Sequence, residues 1–108
     1  MDTRAYSYSQ EQRVARLLHG KVNANSGATA FSKGDVRTMQ FLIECKTSTK
    51  PSKSVSIKKE WIDKLKEEQF AMGKLESAIA FDFGDGEDHF IISKEMMQWL
   101  VENYERNV

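Results

Sequence analysis

The chain has one cysteine, one proline, two histidines, no net charge and no long apolar run. A lone cysteine, Cys45, leaves no intramolecular disulfide and no cysteine-based metal site. On a strand face turned to the core it reads as a small buried residue. No apolar stretch approaches the ~20 residues of a membrane-spanning helix, and the N-terminal Met-Asp-Thr-Arg-Ala-Tyr lacks the apolar region of a secretory signal. A cytoplasmic protein with no membrane partner is therefore expected. No repeat, linker or low-complexity segment divides the sequence, and 108 residues suffice for one domain with a modest core but not for two.

The absence of net charge would argue against nucleic acid, but the charge is not evenly spread. From Gln12 to Lys59 there are ten basic residues, and the only acids are Asp35 and Glu44; from Glu60 onward twelve acids face five bases. Such asymmetry also occurs on ordinary solvated surfaces. What singles it out here is two isolated carboxylates within a basic half, an arrangement that suits a phosphate backbone meeting a cation.

Those two acids lie in residues 34–47, Gly-Asp-Val-Arg-Thr-Met-Gln-Phe-Leu-Ile-Glu-Cys-Lys-Thr, which read as a β-hairpin with arms over 35–38 and 41–46. Alternation along a strand sends Glu44 and Lys46 to one face and Phe41, Ile43 and Cys45 to the other, assigned to the core. A two-residue turn at Met39-Gln40 would pair Val36 with Ile43, Arg37 with Leu42 and Asp35 with Glu44. Met-Gln does not suit the φ > 0 conformations of tight hairpins. A longer, bulged turn would move the pairing by one residue and keep both carboxylates within reach. Two carboxylates placed opposite each other repel unless something positive lies between them. A hard divalent cation such as Mg²⁺, which takes carboxylate, water and phosphate oxygens, answers that need. Read without a cation, Glu44 and Lys46 would form a surface ion pair worth little.

Gly34-Asp35, followed by an apolar strand ending Glu44-Cys45-Lys46, resembles the signature of the PD-(D/E)XK nucleases. Over roughly Gln10 to Ile92 the wider pattern is similar to the small Holliday junction resolvases of archaea and related phage endonucleases. The triplet alone is short enough to occur by chance. Its specificity comes from an upstream acidic helix, the Asn25-Ser26-Gly27 loop, the Lys33-Gly34-Asp35 approach and a following helix, with Gly34 standing where the family's name has proline. The resemblance implies a single α+β domain with a restriction-endonuclease-like mixed central sheet flanked by helices. It also implies metal-dependent hydrolysis of DNA phosphodiesters. Asp35, Glu44 and the main-chain carbonyl of Cys45 would hold Mg²⁺ (or Mn²⁺ in its place), and Lys46 would steady developing negative charge or orient water. Glu11 would be a further metal ligand and Ser26 would sit beside the active site. Further implications are a homodimer acting on branched, four-way-junction DNA and a bacterial, archaeal or phage-infected host cell. The same core acting on a flap, branch or nick, and a non-catalytic DNA-binding module of the same fold, are the alternatives.

The rest of the chain supplies the expected order α-β-β-β-α-β-β-α. Residues 1–8 show no periodicity and read as a mobile arm. A helix is predicted to start at Ser9, with Gln12 completing a capping box, Val14, Leu17 and Leu18 as its buried stripe, and Gly20 as its stop. Glu11 then falls in the first turn, where it reads by itself as a dipole-compensating acid. A short strand is expected over 21–23, followed by a small polar loop around Ser26 that either holds an anion or simply connects. Lys33, Arg37 and the lysines of the polar 47–54 loop, Lys50 and Lys53, are the candidate DNA contacts. A short strand or a lead-in over 55–57, a helix over 58–72 with Trp61 in the core, strands over 78–83 and 89–92, and a last helix capped by Ser93 complete the reading. His89, a lone histidine on a strand, is given no catalytic role. The last helix has too many large apolar residues for one stripe, so it either packs on a second subunit or lies deep against its own sheet.

Overall fold

The computed structural model describes residues 3–23 and 35–106; Ser26 and Lys33 lie outside the described residues. The fold is α+β, in the expected order: α1 (Thr3–Leu18), β1 (Lys21–Val22), β2 (Val36–Arg37), β3 (Phe41–Lys46), α2 (Lys59–Ala71), β4 (Glu76–Phe81), β5 (His89–Ile92) and α3 (Lys94–Arg106). The five strands form one mixed sheet in the order β1-β2-β3-β4-β5. Neighbours run antiparallel except β3 and β4, which are parallel and joined through α2, as a parallel pair needs a helical crossover.

Both faces of the sheet are covered, which corrects the expectation of a single core face on β3. Val36, Ile43, Ala78 and Ala80 pack with Val14 and Ala15 of α1 on one side, where Cys45 joins them half-buried. Leu42 and Ile79 pack with Leu65 of α2 on the other, joined by Trp61, Ile62 and Ile57. Alternation along β3 therefore sends apolar residues both ways, and Leu42 and Ile43 are each fully buried. Glu44 and Lys46 thus emerge beside a covered face rather than an open one. Ile57 reaches that cluster from a loop, since residues 55–57 are a lead-in to α2 and not a strand.

The hairpin keeps the predicted register, Val36 opposite Ile43 and Arg37 opposite Leu42. Its turn avoids the conformational difficulty of Met39-Gln40. Among the described residues other than glycine only His19 has a positive φ, so neither turn residue does. The turn closes instead through a side chain: Thr38 Oγ1 accepts the Phe41 N–H (3.0 Å), while the Thr38 N–H donates to the Phe41 carbonyl (3.0 Å).

α1 begins at Thr3, not Ser9, so residues 3–8 are helix rather than an arm and Ser9 caps nothing. Residues 3–8 hold no run of large apolar residues at helical spacing, so the sequence leaves no periodicity there. The buried positions of α1 are Gln10, Val14 and Ala15, with Leu18 half-buried, whereas Leu17 is exposed. At the end of the helix His19 itself takes the left-handed conformation, at φ 55°, and the Gly20 N–H returns to the Ala15 carbonyl (2.8 Å). Gly20 serves a different need, because a Cβ there would lie 2.5 Å from the Arg37 carbonyl oxygen. Ser93 does cap α3, its Oγ accepting the Met96 N–H (3.0 Å).

Candidate active site

The hairpin delivers the two isolated acids to one place. Asp35 continues the ladder beyond β2: its N–H donates to the Ile43 carbonyl (2.9 Å) and its carbonyl accepts the Asn23 N–H (2.9 Å). Its side chain is held as well, Oδ2 accepting the Cys45 N–H at 2.7 Å. The regular register ends at Val36 opposite Ile43, and one residue beyond it the Asp35 side chain meets that of Glu44 in a hydrogen bond. Burial of Glu44, whose side chain is 25% exposed, pushes its carboxyl from the usual range up to about 8. The adjacent Asp35 charge and a hydrogen bond between the two side chains reinforce that shift, and Lys46 opposes it. Glu44 therefore favours its protonated form at neutral pH when no cation is present.

Glu11 reaches the same region from α1. Desolvation and then the Asp35 charge raise its carboxyl to about 7. With α1 starting at Thr3, Glu11 sits in the middle of the helix, so the dipole-compensating reading loses its basis. Cys45 lies between these groups with its thiol pushed up, mainly by burial and then by the charges of Asp35, Glu11 and Glu44. It is a protonated packing residue whose main chain matters more than its sulfur. A strand residue turns its N–H and C=O to the same side, so the Cys45 carbonyl faces the edge where its N–H meets Asp35.

Lys46 stands next along the same face. Its Nζ is 3.9 Å from Glu44 Oε1 and 4.2 Å from the centroid of the Trp61 ring. Trp61 packs against the second core cluster, as expected, and also holds the ammonium by a cation–π contact.

The sequence reading missed the support behind this edge. Gln10, 1% exposed, donates from Nε2 to the Lys46 carbonyl (2.9 Å) and to Asp88 Oδ1 (3.3 Å). Arg13 binds both Asp88 oxygens, at 2.6 and 2.8 Å, and Asp82 Oδ2 at 2.8 Å. Asp82, itself buried, accepts from Thr47 Oγ1 (2.6 Å). The network ties α1, the end of β3 and the 82–88 turn together, and it removes Arg13 from the free basic charge counted along the sequence. Glu68 of α2, with an 11% exposed side chain, adds negative charge behind Glu44. Its signal was available: Trp61, Leu65, Glu68 and Met72 share one helical stripe. Gln10 likewise lies four residues before Val14.

Of the candidate DNA contacts, Lys50 and Lys53 are exposed on the 47–54 loop. Arg37 is half-buried and donates to the Asn23 side-chain oxygen. The donors gathered around Asp35 are all oxygens, the preference of a hard cation, and the proton favoured by Glu44 is what such a cation displaces. On that chemistry the residues fit Mg²⁺ or Mn²⁺. Among the described residues, no three His, Cys, Asp or Glu side chains are already gathered as a group that could hold a metal ion; the preorganised part is the Asp35–Glu44 pair with the Cys45 carbonyl beside it. No helix among these residues is long and apolar enough to cross a membrane. Comparison with protein-family models, curated proteins and solved structures finds no match.

Proposed function

We propose that this chain is a metal-dependent DNA endonuclease of the PD-(D/E)XK type, acting on branched DNA as a Holliday junction resolvase does. The observation that carries the reading is the hydrogen-bonded Asp35–Glu44 pair, with the Glu44 carboxyl raised to about 8 and a lysine on the same face. A purely structural site gains nothing from a buried glutamate whose ionisation a neighbouring acid opposes.

Asp35, Glu44 and the Cys45 carbonyl would hold the cation, with Glu11 completing the set from α1. Bound there, Mg²⁺ supplies Lewis-acid polarisation of the scissile phosphate and a lowered pKa for the attacking water. Asp35 orients its carboxylate through the Cys45 N–H. Lys46, held by Trp61 and Glu44, stabilises negative charge as it develops on the phosphate. Lys50 and Lys53 neutralise flanking phosphates.

A resolvase cuts two strands and so needs two sites related by symmetry. α3 supplies a surface for the second copy. It has no buried residue, and Met97, Trp99, Leu100, Val101 and Tyr104 are exposed along it, so the alternative of a helix deep against its own sheet does not hold. Between Met96, Trp99 and Leu100 of α3 and Phe41 and Leu75 of the body lies a hollow of ≈ 580 Å³.

The test is cleavage in Mg²⁺ of a four-way junction, a flap, a linear duplex and a single strand, by the wild type and by Asp35→Asn. Junction cleavage that is lost in the variant supports the reading. Preferential cutting of the flap makes the chain a nuclease of another structure, and no cleavage with DNA still bound makes it a binding module. Sedimentation at micromolar concentration should show a dimer.

A further inference from the structure

At the end of the sheet where β3 and β4 finish, three strands set aromatic and cationic side chains in one row. Residues paired across neighbouring strands point to the same face. Lys46 pairs with Phe81, and Phe81 pairs with His89, so all three stand on the face that carries Glu44. Phe81 and His89 stack with ring centroids 5.4 Å apart and planes 29° apart. Phe83, just past β4, meets both rings edge-on, at 5.7 Å from Phe81 and 5.6 Å from His89. Trp61 borders Lys46, at 4.2 Å.

This aromatic group is not part of the interior. Among the described residues, Phe81 and Phe83 belong to neither core cluster; both are half-buried and His89 is exposed. A cationic loop is fastened along its rim. The Ser52 N–H donates to the Phe83 carbonyl (2.9 Å), and the Lys50 carbonyl passes so close to Gly84 that a Cβ there would lie 2.6 Å from it. The loop that carries the exposed Lys50 and Lys53 is thus fastened beside Phe83, at the end of the row that holds the lysine of the candidate active site.

We infer that Phe81, Phe83 and His89 form a stacking shelf for one unpaired nucleobase of a DNA strand whose phosphates run along Lys50 and Lys53 toward Asp35 and Glu44. The inference rests on the nuclease reading and names the substrate class: DNA with a base out of its stack near the scissile phosphate. A base inside a duplex has both faces covered by its neighbours, whereas one at a bulge, branch or frayed end offers a free π-face. Aromatic side chains bind such a face whatever the base. The neighbouring lysines favour a polyanion, and an apolar peptide would leave them without a role.

The experiment measures affinity, with a chelator present so that nothing is cut, for two DNAs of equal length, one fully paired and one carrying a single bulged nucleotide. The wild type should prefer the bulged DNA on the order of tenfold, the effect of one base–aromatic stack. His89→Ala, at an exposed position, and Phe83→Leu, which keeps apolar volume, should each lose most of that preference while holding the paired duplex as before. His89→Phe should retain it. A preference unchanged in both of the first two variants overturns the shelf, as does an equal loss on both DNAs or a loss of preference in His89→Phe. A wild type that binds both DNAs equally sinks the shelf alone; one that binds neither removes the nuclease reading with it.

Discussion

Replacing Asp35 by asparagine tests the central pair through stability alone. In the cation-free protein Glu44 titrates at about 8, against 4.5 for an ordinary glutamate. A carboxyl whose pKa is raised on folding contributes stability that is fully present below about pH 4.5 and is lost as pH climbs through about 8, because the unfolded chain then ionises it more easily than the fold does. At about 1.4 kcal/mol per pH unit, the loss across that window is on the order of 4–5 kcal/mol, against a total stability of roughly 5–15 kcal/mol for a small domain. Glu11, raised to about 7, adds a smaller loss of the same sign. Asp35→Asn keeps an oxygen for the Cys45 N–H and removes the charge and the carboxylate hydrogen bond, leaving burial as the remaining cause of the Glu44 shift. The decline between pH 5 and pH 9 should therefore shrink by on the order of 2 kcal/mol, and the variant should be the more stable protein at pH 9. Urea unfolding in chelator at several pH values measures both slopes. Adding Mg²⁺ should stabilise the wild type most at high pH, where the cation no longer competes with the Glu44 proton, and should do little for the variant. Superimposable pH profiles for the two proteins, or a variant destabilised at every pH, would refute the pairing of Asp35 with Glu44.

Lys46→Ala should lower Mg²⁺-dependent cleavage by about 100-fold or more while Mg²⁺ still raises the melting temperature, because the lysine acts on charge and not as a ligand; a loss of both would make it part of the cation site. Neutralising Lys50 and Lys53 together should reduce the slope of log affinity against log salt by about 2. Changing Lys74, whose Nζ is held by the Thr38 and Met39 carbonyls at the far end of the hairpin, should leave that slope alone, and equal effects would remove the 47–54 loop from the DNA surface. Gly84→Ala forces a side chain into a φ of 85° and against the Lys50 carbonyl, at a cost of about 1–3 kcal/mol; thermal unfolding that matches the wild type would mean the loop is not fastened there.

Much of this protein follows from local chemistry written along the chain. Alternation predicts β3 and β5 over their observed spans, helical spacing predicts α2 to within a residue at each end, and Ser93 marks the start of α3. Two acids alone in a basic stretch, at hairpin spacing, mark Asp35 and Glu44 as neighbours, because the register that pairs Val36 with Ile43 follows from the turn and the pleat. Tertiary packing decided the rest. The start of α1 is invisible in sequence because its first turns show no apolar stripe, and with that start goes the position of Glu11. Sequence places Glu68 on the inner stripe of α2 but cannot show that its charge reaches Glu44 until α2 lies on the sheet. Nor can it show that Gln10 and Arg13 brace the end of β3 by meeting Asp88 from more than seventy residues away. The shift of Glu44 to about 8 belongs to the fold alone. Its largest cause is desolvation, a property of what covers a residue, and no pattern of neighbours along the chain contains it.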